Sequence, residues 1–262
     1  LIGTRWLLFL TSDPGVTGIF HVVDDRNAMI MVGPRVPGEP CTGSARECLE
    51  FEIAGVLKTN NEALVPRMLR LLHGWGDFGK ELQEAIQTAT ESQKAEIQGG
   101  SLALRISLGD INALSLAENF RGTEGAENEL RASIANITDC RAIPSLAKIA
   151  SMSGSARIKA GAIQALRNMA SPKRREALRP AFASALDVDD RAVQYDAIVG
   201  LGKIMGRIPD GDFSVSVPVG SKPLPAPGLS FDEFLKDPTR HIAVWREIAG
   251  KWHLERSRPD TN

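Results

Sequence analysis

Few residues in this chain combine the type and the spacing that chemistry needs. Ser145-Leu146-Ala147-Lys148 matches the S-x-x-K string in which a lysine activates a serine for acyl transfer. The S-D-N and K-T-G strings that complete such a site are absent, and the string falls inside an apolar helical pattern, so it reads as structural. No G-x-G-x-x-G, no P-loop and no H-E-x-x-H occurs. Of the four histidines, His21 lies in a strand pattern, His73 at a helix end, and His241 and His253 twelve residues apart on the last helix, which is not ligand spacing. Asp187-Val188-Asp189-Asp190 opens like a calcium loop, but Ala192 and Ile198 stand where the glycine and the closing glutamate belong. Helix capping explains it better. Asn136-Ile137-Thr138 is a glycosylation sequon at a helix end, relevant only in a eukaryotic secretory pathway. No catalytic, cofactor-binding or metal-ligating residue is therefore assigned, and the chain is read as no enzyme.

Cysteine use is sparse. Three cysteines in 262 residues are no disulfide framework. Cys41 and Cys48 enclose a short polar stretch with no histidine nearby, which is wrong for a zinc ribbon. Two readings stay open: a local disulfide in an oxidising compartment, or, as the plainer one, two unpaired thiols at a helix start. Cys140 stands alone.

Charge is more informative in its distribution than in its sum. With 31 Lys+Arg against 32 Asp+Glu, nothing overall favours DNA, a membrane surface or a polyanion. No apolar run approaches the roughly 18 residues that span a bilayer. Residues 141–207, however, hold 12 basic against 5 acidic side chains, whereas residues 77–140 hold 5 against 11. An acidic middle thus precedes a basic back half, and the two are expected to persist as surface regions of opposite sign. Within the basic half, Arg157, Lys159, Arg167, Lys173, Arg174, Arg175 and Arg179 form the candidate patch for a partner. Lys173-Arg174-Arg175 opens a helix, where cations oppose the macrodipole, so a use outside the fold suggests itself.

The elements that position these residues change period along the chain. Arg5–Leu10, Ile19–Val23 and Ala28–Val32 read as three strands of a small antiparallel meander. The chain begins with Leu1 just ahead of an apolar strand, so a processed or truncated product is expected. Residues 33–43, with Pro34, Pro37 and Pro40, form a linker. From Ser44 the period becomes helical, and Ser44 with Glu47 makes a capping box. Helices follow at Glu62–Leu72, about Asp77–Ile97 as one long amphipathic element, and Asp110–Phe120.

Residues 127–205 then repeat. Ile158-x-x-x-Ala162-Ile163-x-Ala165-Leu166-x-x-Met169 superimposes on Val193-x-x-x-Ala197-Ile198-x-Gly200-Leu201-x-x-Ile204 at an offset of 35. Each follows a shorter helix with its own stripe, Ile143, Leu146 and Ile149, then Leu178, Phe182 and Leu186. Helix pairs of this period cannot bury their apolar faces singly and must stack. Residues 208–229 are a proline-rich strap. Ser230 caps a short helix and Pro238 opens the last one, whose Ile242, Trp245, Ile248, Ala249 and Trp252 read as a face sealing the stack. Trp75, between glycines in a loop, is expected beneath that loop.

In Ala142-Ile143-Pro144-Ser145-Leu146 and in Asp190-Arg191-Ala192-Val193-Gln194-Tyr195-Asp196-Ala197-Ile198, the chain resembles the HEAT and armadillo-like repeat family. The resemblance is good over residues 127–206 and degraded over 44–120. One departure is that Ser153-Gly154-Ser155 stands where the family's turn aspartate belongs, although Asp189-Asp190 supplies it in the next repeat. Gly3–Leu10 also resembles the end of a small β-barrel module of exported bacterial proteins, a weak pointer to an extracytoplasmic location.

The resemblance implies an α-α superhelix (HEAT-like solenoid), so with the strands read above the expected fold is mainly α with a small N-terminal antiparallel β meander. The changes of period and the proline-rich stretches divide the chain into 1–43 (meander and linker), 44–207 (repeats), 208–229 (strap) and 230–262 (capping helices and tail). The function the resemblance implies is a non-catalytic scaffold that binds another protein, by the charge argument an acidic one. Nucleic-acid binding through residues 157–179 is the alternative, disfavoured by the acidic middle and the single tyrosine. A lyase-like or other enzymatic role comes third. No cofactor is implied.

Overall fold

The capping box forms as its residues require. In the computed structural model the Glu47 amide donates to Ser44 Oγ at 3.3 Å and the Ser44 amide donates to the Glu47 carboxylate at 2.6 Å. Helix α1 follows over Ala45–Lys58. The structure describes residues 44–206, apart from the side chain of Ala45, and residues 230–250, with helical backbone on to Arg256. The expected β meander of residues 1–43, the strap of residues 208–229 and the side chain of Trp252 lie outside the fully described residues. Within them the fold is mainly α. Contacts divide the chain into two compact units, Leu1–Leu104 and Arg105–Asn262.

In the first unit α1 packs with α2 (Val65–Leu72) and α3 (Lys80–Ala89). Ile53, Val65, Met68, Leu69 and Leu72 are fully buried in the shared core. Trp75 is half-buried against that core, as expected of its loop. Helix α2 starts three residues later than its apolar pattern predicts. The reason is local: Asn61 Oδ1 accepts from the Ala63 and Leu64 amides at 2.9 and 3.1 Å, an Asx turn that delays the helix. The single long helix expected over 77–97 is two, α3 and α4 (Ala95–Ser107). Thr90 Oγ1 donates to the Gln87 carbonyl at 2.6 Å and the Lys94 amide donates to Ser92 Oγ at 3.1 Å. Hydroxyl side chains thus take over backbone groups that a continuous helix would have used.

In the second unit Asp110 caps a 3-10 turn that leads into the short α5 (Leu114–Ala117), where a full helix had been expected. The unit continues with α6 (Glu124–Ala135), α7 (Ile143–Met152), α8 (Ala156–Asn168), α9 (Arg175–Ala185) and α10 (Arg191–Ile204). Here α6 packs on α8 and α8 on α10, while α7 packs on α9, α8 rests on α7 and α10 on α9. The residues that superimpose at an offset of 35, Ile158, Ala162, Ile163 and Leu166 with Val193, Ala197, Ile198 and Leu201, are all at most 1% exposed. Two glycines set the spacing. A Cβ on Gly161 would lie 2.7 Å from the Arg131 carbonyl oxygen of α6, and one on Gly200 would run into the Phe182 ring of α9.

The chain ends on α11 (Phe231–Lys236) and α12 (Pro238–Arg256), which pack on α10. Phe234 and Trp245 are 0% and 1% exposed. Arg246 ties α12 down by donating to the Leu186 carbonyl at 3.1 Å and pairing with Asp187 at 2.7 Å.

Candidate interaction surface

The seven candidate cations are spread over three elements: Arg157, Lys159 and Arg167 on α8, Lys173 and Arg174 in the turn after it, and Arg175 and Arg179 on α9. Lys159 lies in the first turn of α8, about 14 Å along the axis from the last residue, Asn168, at the usual helical rise, and Lys173 lies beyond that end in the following 3-10 turn. Arg157 reaches back to α6, where its guanidinium meets Glu124 at 2.5 Å and Glu127 at 3.9 Å. Arg167 reaches forward to Asp196 of α10 at 2.5 Å. Arg174 Nη1 donates to the Met169 carbonyl, the C-cap of α8, at 2.6 Å. Arg174 is therefore a cation that closes the preceding helix, where its charge suits the dipole, and Lys173 and Arg174 belong to a 3-10 turn ahead of α9. Among the described residues Lys159, Lys173 and Arg179 form no ion pair; Lys173 is exposed and the other two are half-buried.

The expectation of two surface regions of opposite sign meets a different arrangement inside the second unit. Acidic and basic stretches interlock: besides the Arg157 pairs, Lys148 of α7 meets Glu118 at 2.8 Å. Lys148 thereby turns its charge to Glu118, and Ser145 is half-buried in the same helix. At the turn before α8, Ser155 caps the helix and its hydroxyl donates to Glu127 at 2.7 Å. Glu127 thus brings a carboxylate from α6 to the turn before α8. In the next repeat Asp190 acts directly, accepting from the Ala192 and Val193 amides at 2.8 and 3.0 Å. That is the capping role, and Asp187 is held by Arg246.

A second group, not singled out from sequence, gathers on α6, α8, α10 and α11. Burial and, more weakly, the Asp190 carboxylate push the Asp196 carboxyl above the ordinary aspartate value, against the opposing pull of Arg167 and Arg131. Burial likewise raises the neighbouring Tyr195 phenol, while Arg167 lowers it. The Tyr195 ring stands edge-on to Phe231 at 5.2 Å. Phe231 and Leu235, one turn apart on α11, are 39% and 46% exposed. The spacing of Phe231 and Leu235 was visible in the sequence; their meeting with Tyr195 was not.

Cys48 is disulfide-bonded, which overturns the reading of unpaired thiols at the start of α1. Cys140 keeps an exposed free thiol. Asn136 of the sequon is exposed at the C-cap of α6. Among the described residues no group of three or more His, Cys, Asp or Glu side chains could hold a metal ion, and no helix is long and apolar enough to cross a membrane.

The class these elements define is a mainly α protein of packed helix pairs, compatible with a helical-repeat fold. No family model, no curated protein and no solved structure matches the chain.

Proposed function

We propose that the chain is a non-catalytic protein–protein interaction scaffold built as a HEAT-like solenoid, preceded by a small β meander and facing a partner outside the cytoplasm. The observation that carries this reading is the two-layer packing of α6 to α10, in which equivalent residues of successive pairs occupy equivalent buried places. Such stacks generate extended surfaces suited to partners. The Cys48 disulfide supports an oxidising compartment, in line with the resemblance of Gly3–Leu10 to exported bacterial proteins. Of the basic patch, Lys159, Lys173 and Arg179 are the members left for a partner, because Arg157, Arg167 and Arg174 already serve internal groups. The same internal use weakens the nucleic-acid alternative, since phosphate contacts need cations that can be surrendered to the backbone.

The test is capture of partners from native extract by the wild type and by a Lys173→Glu, Arg179→Glu variant, each with and without nuclease. A defined protein retained after nuclease supports the scaffold, and its loss on charge reversal places it on the patch. Recovery of nucleic acid alone, or turnover of a substrate by the purified chain, overturns the reading.

A further inference from the structure

We draw no further inference here: the strongest candidate, the exposed apolar patch of Phe231 and Leu235 on α11 beside Tyr195 of α10, is flanked on its own helix by side chains of both charges, and nothing in the structure shows what covers it.

Discussion

Glu50 and Asp196 are both carboxylates withdrawn from water, and their surroundings treat them differently. Glu50, 7% exposed, accepts from the Gly79 amide at 2.6 Å and from Arg46 Nε at 2.9 Å, so it caps α3 from the facing helix α1. Replacing Glu50 with Gln keeps its shape but removes the charge from both bonds. A loss of about 1–3 kcal/mol is expected in denaturant unfolding. Asp196 is held less favourably, because burial raises its carboxyl in spite of Arg167. A folded value above the unfolded one means that ionised Asp196 costs stability at neutral pH. That cost shrinks as pH falls through the folded value and vanishes below the ordinary 3.8. Asp196→Asn should therefore flatten the unfolding midpoint over that acidic window. An unchanged pH profile would mean that Asp196 is not perturbed in the fold.

At the scale of elements, helix spacing is governed by two residues without side chains, and their neighbourhoods separate a tolerated change from a damaging one. Gly161→Ala must push α6 from α8, since the new methyl would sit 2.7 Å from a backbone carbonyl that cannot swing away. About 1–3 kcal/mol should be lost. Gly55 is also helical, in α1, but nothing lies within 4 Å of a Cβ there. Gly55→Ala should gain roughly 0.5–1 kcal/mol by helix propensity and reduced freedom of the unfolded chain. Opposite signs for two identical substitutions, measured in the same buffer, check the packing directly. The same scale explains the basic start of the α9 region. Arg174 opposes the dipole ahead of it and satisfies the carbonyl behind it, so a placement unfavourable to one helix is favourable to its neighbour.

For the whole molecule, the C-terminal helices close the second unit. Trp245 buries nearly all of its surface against that unit, and Arg246 anchors the same helix to the turn after α9. Trp245→Ala should cost about 3–5 kcal/mol and lower the melting midpoint sharply. A melt that stays cooperative and unshifted would deny α12 its sealing role.

Period and capping are local properties, and the sequence by itself determined what depends on them. The capping boxes at Ser44 and Ser230, the buried stripes of α7 to α10 and the pairing of those helices could all be read from residues within a turn or two of one another. The helix break at Thr90 and the late start of α2 after Asn61 are invisible in the sequence because a hydroxyl or amide that diverts a backbone hydrogen bond leaves no mark on apolar periodicity. The tertiary structure alone decided which charges were free. Glu127 reaches Ser155 across 28 residues and Arg157 reaches Glu124 across 33, distances at which no spacing rule operates. Long polar side chains find their partners across helix faces, and which faces meet is settled by the packing of small residues such as Gly161 and Gly200, so a patch counted along the chain becomes a set of pairs once the helices are stacked.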